Sequence, residues 1–332
     1  MKIMDCTLRD GANVVGKGFP AELTSLILEG LIRNGVEIIE YGNAGGIGAY
    51  EVSNYIAPLT DLEYLELAQP YLNQAEIGMF LNAKRCQEKN VALAAEKGLA
   101  FLRVGADAGD AERAVPAVKL VKQYGLKAQY SLMKAYLLTP QELAEEGRRL
   151  EEAGVDAMTI MDSAGTMTPD STAEYTEVLS QAVHVPVGFH GHNNLGLAAA
   201  NAIAAAEHGA AVIDCGLLGM ARSAGNIATE LAAAALQRQG MAQEVNLFGL
   251  LDFLDRDLIP AMSKYDYRPA VTPLELVLGY AGCHSSFLKQ FRETAAEKQV
   301  SLYRLIVEVS RLDQKAPSRE LMEQVAARIA AG

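Results

Sequence analysis

Short apolar runs alternate with amphipathic stretches along the first three quarters of the chain. Eight runs, at 2–8, 36–41, 75–81, 101–105, 127–134, 157–162, 186–192 and 212–216, are rich in Ile, Val, Phe, Met or Leu. That is the composition of strands buried on both faces. Between them, 21–34, 139–153, 169–182 and 195–208 show helical spacing. The 139–153 segment is the clearest: Thr139 can cap it, Pro140 suits its first turn and Gly154 stops it. Eight strand–helix units predict a TIM (β/α)8 barrel over residues 1–240. A doubly wound sheet is the rival, because periodicity does not show closure; its dinucleotide-binding form is disfavoured, since no GxGxxG opens the first helix. From Asn246 onward the strand pattern ends. The segments 246–264, 273–278, 285–298, 301–311 and 317–331 read as helix, and a helical C-terminal extension over 241–332 is expected. No low-complexity linker separates it from the barrel.

Charge narrows the partners. With 29 Lys and Arg against 41 Asp and Glu, the chain carries a formal charge of −12. This argues against nucleic acid and against anionic lipid, both of which need a basic face. No run approaches about eighteen apolar residues, and MKIMDCTLRDG lacks the apolar region of a secretory signal. Cys6, Cys86, Cys215 and Cys283 are far apart, as in a reduced cytoplasmic protein. A cytoplasmic location with no membrane attachment is therefore expected.

Three motifs fall at predicted strand ends, where a barrel builds its site. The first is Thr7-Leu8-Arg9-Asp10-Gly11; Gly11 permits a tight turn and close ligand approach. By itself the Arg9–Asp10 pair reads first as a simple surface ion pair. The second is His190-Gly191-His192-Asn193-Asn194, in which period-2 spacing puts two imidazoles on one face of a strand. They read either as a hydrogen-bonded pair or, with Asp10 as a third ligand, as a two-His, one-carboxylate metal face with open positions. The third, running from Gly219 to Asn226 through Arg222, offers backbone N–H groups to an anion, or glycines needed for packing. His184 and His208 read as structural. Cys6 reads as core, Cys215 as a residue near the mouth, and Cys283 as a buried hydrophobe in preference to a nucleophile.

Together with Asp162-Ser163-Ala164-Gly165 and with Leu278 to Gly282 followed by Ser285-Ser286-Phe287, these motifs resemble the DRE-type TIM-barrel metal-dependent lyases and synthases. Within that HMGL-like group the likeness is greatest to the 4-hydroxy-2-oxovalerate aldolases. The resemblance implies a divalent metal held by Asp10, His190 and His192, typically Mn²⁺ with Mg²⁺, Co²⁺ or Zn²⁺ as alternatives. Asn226 would be a nearby ligand or a support for the metal's water. It further implies cleavage of a 4-hydroxy-2-oxoacid to pyruvate (or a close 2-oxoacid) and an aldehyde through an enolate. Arg9 would face the enolate oxygen, Ser163 would bind the substrate carboxylate, and Tyr280 would join the catalytic set. An aldehyde dehydrogenase partner, or a homo-oligomer, would use the C-terminal helices.

The chain departs from the aldolase pattern in four places. Asn13 stands where those aldolases carry an acid/base histidine, and an amide cannot shuttle a proton. His284 stands where they carry Tyr, and is expected to take over proton transfer while Asn13 positions substrate. Lys134 and Arg222 replace residues that are apolar and small. With Arg103 on the fourth strand, which is common in the family, they are expected to bind an anionic substrate; Lys134 could instead pair with Glu40 or Asp162. A Claisen-type condensing enzyme of the isopropylmalate synthase kind fits Asn13 better, but the chain has no room for the regulatory domain of such enzymes. A lyase acting on hydroxymethylglutaryl-CoA would have a Cys in the loop after strand 8, and none is there. A non-catalytic metabolite-binding barrel is the remaining alternative.

Overall fold

The computed structural model describes residues 1–52, 56–265, 267, 277–279 and 281–331. Eight parallel strands close into a barrel in sequence order, β8 pairing back onto β1. They are β1 (Lys2–Asp5), β2 (Ile38–Tyr41), β3 (Glu76–Asn82), β4 (Phe101–Asp107), β5 (Lys127–Met133), β6 (Ala157–Asp162), β7 (Val187–Gly191) and β8 (Val212–Cys215). The doubly wound alternative is thereby excluded. A helix follows each strand: α1 (Ala21–Arg33), α2 (Asp61–Ala68), α3 (Glu88–Glu96), α4 (Ala111–Gln123), α5 (Pro140–Glu152), α6 (Pro169–Ala182), α7 (Ala198–Glu207) and α8 (Thr229–Gln237).

Local chemistry sets these ends. In α5 the Thr139 side chain accepts from the Glu142 N–H while the Glu142 carboxylate accepts from the Thr139 N–H, a reciprocal cap. Gly154, at φ 101, turns the chain out of the helix. β1 is shorter than the apolar run that predicts it, because the N–H groups of Arg9 and Asp10 both turn back to the Cys6 carbonyl. The resulting turn, not the strand, carries the first motif.

The barrel core does not stop at residue 240. Leu250, Phe253, Leu254, Leu258 and Met262 pack into it, on α9 (Leu247–Phe253) and the turns that follow. A second core begins at Leu278 and joins α10 (Leu288–Lys298), α11 (Leu302–Ser310) and α12 (Arg319–Ala331). The helix expected at 273–278 lies mostly outside the described residues. Among the described residues no helix is long and apolar enough to cross a membrane.

Candidate active site

Asp10, His190 and His192 come together at the C-terminal mouth of the barrel. Asp10 Oδ2 lies 3.6 Å from His190 Nε2 and 3.8 Å from His192 Nε2. The three residues are buried, and each can offer one ligand atom to a shared ion. The two rings sit edge to face with centroids 5.3 Å apart. Strand alternation puts them on one side, although β7 itself ends at Gly191 and His192 makes an isolated bridge to Asn226. Gly165 lets that bridge approach, since a Cβ there would stand 2.5 Å from the His192 carbonyl oxygen.

Beneath these three residues lies a closed ring of buried charges. Arg9 Nη1 contacts Asp10 Oδ1 at 3.2 Å, and Arg9 Nε donates to Glu40 Oε2 at 2.6 Å. Arg103 lies 3.6 Å from Glu40 Oε1 and donates to Asp214 Oδ2 at 2.5 Å. Asp214 Oδ2 lies 3.1 Å from His190 Nδ1, and His190 Nε2 returns to Asp10. Alternating sign is the condition under which buried charges are tolerated. Burial works against the Asp10 carboxylate, but Arg9 and the two imidazoles hold its pKa well below the usual range. Burial pushes His192 down to about 3, whereas for His190 the pull of Asp10 and Asp214 outweighs burial and raises it.

The donor set fits a divalent metal. One carboxylate and two imidazoles on one face, each imidazole giving up any proton to an ion, would leave positions open for substrate and water. Asp214, 3.1 Å from His190 Nδ1, stands where an outer carboxylate would orient that imidazole as a ligand. Asn226 is buried beside Asp10: its Nδ2 donates to Asp10 Oδ2 at 3.2 Å, and its Oδ1 has no hydrogen-bond partner among the described residues.

The cavity above these residues, of about 270 Å³, brings Arg9, Ser163, Lys134, Arg222 and His284 to its walls. Two sequence expectations are corrected. Arg103 is wholly buried and does not line the cavity; Asp214 and Glu40 hold it in the barrel interior, where it orders the ring and cannot touch substrate. Asn13 is turned away as well. Its Nδ2 donates to the Asp10 carbonyl at 2.9 Å and lies 3.4 Å from Asp10 Oδ1, so it braces the Asp10 turn and not a substrate. Tyr280 lies outside the described residues. Lys134 pairs with Asp107 at 3.2 Å, not with Glu40 or Asp162. Cys215 is core, its thiol directed to the Met4 carbonyl, and burial pushes the Cys283 thiol up to about 11.

Sequence reasoning missed Asp214, Asp107 and the anchoring of Arg9 by Glu40. A signal existed for two of them: Glu40 and Asp214 are single charges in the apolar strands β2 and β8.

A family profile described as HMGL-like matches residues 1–256, and one described as a DmpG-like communication domain matches residues 269–331. The chain belongs to the HMGL-like family. Its relatives include the 4-hydroxy-2-oxovalerate aldolase 2 of Nocardia farcinica, 34% identical over 328 residues that cover 99% of this chain and 94% of that protein. The 4-hydroxy-2-oxovalerate aldolase of Carboxydothermus hydrogenoformans is 32% identical over 326 residues, 98% of this chain and 96% of that one. In fold alone, the carboxyl transferase domain of Rhizobium etli pyruvate carboxylase superposes on the whole chain with a TM-score of 0.78 at 14% identity, the match covering 60% of that structure. In this HMGL-like chain both the barrel and the C-terminal helices therefore fall within recognised modules.

Proposed function

We propose that this HMGL-like protein is a divalent-metal-dependent aldolase that cleaves a 4-hydroxy-2-oxoacid to pyruvate, or a close 2-oxoacid, and an aldehyde. One observation carries the reading: Asp10, His190 and His192 converge beside an arginine whose geometry is already fixed. Near-full-length relatives that bear the aldolase name support it. Asp10, His190 and His192 would hold the ion, for which we favour Mn²⁺, and when bound it would supply Lewis-acid polarisation of the 2-oxoacid carbonyl.

The chain's own residues do the rest. Glu40 fixes the Arg9 guanidinium, which stands 5.4 Å from the centre of the Phe80 ring. Arg9 Nη2 has no hydrogen-bond partner among the described residues, and it is the donor for the enolate oxygen that forms when the C–C bond breaks. Placing that donor in advance avoids reorganisation at the moment charge develops. Ser163 Oγ accepts from the Lys134 backbone N–H at 3.0 Å, which leaves its own hydrogen for the substrate carboxylate.

His284 is the group that moves the proton of the 4-hydroxyl. Burial, with Arg222 and Lys134 facing the ring, pushes its pKa well below the ordinary value, so the imidazole is neutral near pH 7. Its Nδ1 lies 2.8 Å from Ser286 Oγ and 3.2 Å from the Ser286 backbone nitrogen. A hydroxyl can donate to a bare Nδ1 or accept from a protonated one. The Ser286 backbone N–H donates to Nδ1, so that nitrogen is the acceptor, and the neutral ring carries its hydrogen on Nε2, from which it can be offered to the 4-oxygen.

The C-terminal helices are the docking element for an aldehyde dehydrogenase that would consume the product, a reading supported by the match to a communication domain. We place the protein in the cytoplasm on the strength of its free, dispersed thiols.

The test is the Mn²⁺-reconstituted protein incubated with pyruvate in D₂O. Deuterium entering the methyl group shows enolate formation. Absence of exchange, with thiol release from acetyl-CoA in the presence of a 2-oxoacid, would replace the aldolase by a condensing enzyme.

A further inference from the structure

The cavity wall carries more positive charge than an uncharged aldehyde calls for. Four cations line it, Arg9, Arg85, Lys134 and Arg222, against two carboxylates, Asp10 and Asp107. Arg9 is matched from beneath by Glu40 and serves the enolate oxygen. Asp10 belongs to the metal. There remain Lys134 and Arg222, with Asp107 as the acidic group beside them among the described residues of the wall, in a protein whose net charge is −12.

Arg222 is the informative one. Its ion pair among the described residues is with Asp10 Oδ1, at 3.9 Å from Nε. Asp10 Oδ2 is turned to the two histidines, and Oδ1 is engaged by Arg9 at 3.2 Å, so Arg222 has only the longer, shared contact to that oxygen. Lys134 is held by Asp107 and by the Lys315 carbonyl at 2.8 Å, with its ammonium 5.3 Å from the centre of the Phe287 ring. Both cations line the same cavity as His284, the group assigned to the oxygen that becomes the aldehyde carbonyl.

The backbone supports the same assignment. Lys134 itself has φ 54 and ψ 45, and Ser223, next to Arg222, has φ 58. Neither residue is a glycine or an asparagine. Left-handed backbone is strained at such residues and persists where the surrounding structure holds it.

We propose that the aldehyde half of the substrate carries its own anionic group, a carboxylate or a phosphate, received between Arg222 and Lys134 beside His284. The inference rests on the aldolase reading above and names the substrate class for that site. Charge-assisted contacts to two cations would favour such an acceptor strongly over an uncharged one. The cavity, about 270 Å³, restricts the choice to short chains.

The experiment uses the full chain reconstituted with Mn²⁺. kcat/KM is measured for addition of pyruvate to succinic semialdehyde and to glycolaldehyde phosphate, each against butyraldehyde. The expected result is a preference of at least about tenfold for one of the anionic acceptors, equivalent to about 1.4 kcal/mol. Which of the two is favoured distinguishes a carboxylate from a phosphate. In R222M and K134M the ratio of anionic to uncharged acceptor should fall toward one, while deuterium exchange into pyruvate reports whether the metal site has survived the substitution. Equal or better use of butyraldehyde, with exchange intact, overturns this inference and leaves the aldolase reading standing. A ratio unchanged in both variants also overturns it. Loss of exchange in the unsubstituted protein overturns both.

Discussion

His190 and Asp214 are register partners on β7 and β8, and His190 Nδ1 lies 3.1 Å from Asp214 Oδ2. The pairing of the last two strands therefore places a carboxylate that orients the His190 ring, one of the candidate metal ligands. The same oxygen receives Arg103 from β4. One buried carboxylate thus couples the metal site to the charge network inside the barrel.

Asp214→Asn should lower metal affinity by about 10- to 100-fold without removing a ligand, as loss of an outer hydrogen-bonding carboxylate does elsewhere. Competition with a chromophoric chelator measures it. Unchanged affinity in a variant with native circular dichroism would remove Asp214 from the site.

Arg103→Met should act on stability. It leaves Glu40 and Asp214 buried with one cation fewer, and breaking a buried pair costs about 3–5 kcal/mol. Denaturant unfolding reads the loss directly. Arg103→Lys should recover only part of it, because a single ammonium cannot present the guanidinium's two arms to two carboxylates. Full recovery would contradict this account.

His284→Ala should reduce turnover by about 10²- to 10⁴-fold, the range for loss of a positioned proton-transfer group. Asn13→Ala should instead weaken metal binding, because its amide braces Asp10, with a smaller effect on turnover at saturating metal. Near-full turnover in the His284 variant would end its assignment.

Asp61 gives a pH dependence away from the site. Its carboxylate, buried and accepting from Asn43 Nδ2 and the Gly48 N–H, is pushed by burial from 3.8 to about 6. A raised carboxylate pKa favours the protonated form in the folded state. Its contribution is present below about pH 4 and is lost as pH rises through 6, amounting to as much as about 3 kcal/mol. Asp61→Asn should therefore gain stability relative to the parent between pH 4 and pH 7, followed by thermal unfolding at both. A difference that does not vary with pH would show that the carboxylate does not titrate in this way.

Gly165→Ala should disturb His192. Gly165 has φ 62, and a Cβ would meet the His192 carbonyl oxygen and the Asn194 nitrogen at 2.5 and 2.7 Å. A cost of at least about 2 kcal/mol is expected from the backbone strain and the clash together. Metal affinity should fall with it, and calorimetric titration checks both.

The sequence by itself determined the strand–helix alternation, because runs buried on both faces must be apolar and the helices between them carry explicit caps such as Thr139 and Glu142. It also put His190 and His192 on one face, since residues two apart on a strand share a side wherever that strand lies. Only the tertiary structure decided closure of the sheet, which depends on β8 pairing with β1 across more than 200 positions, a relation without local periodicity. It also decided what each charge does. Arg103 and Asn13 look like pocket residues along the chain, but an inward-facing residue can be held below the mouth as easily as within it. Their partners, Asp214 on β8 and Asp10 after β1, are what settle the matter. Lys134 and Arg222 lie 88 positions apart, and the barrel brings them to one cavity because the ends of all its parallel strands meet at one rim.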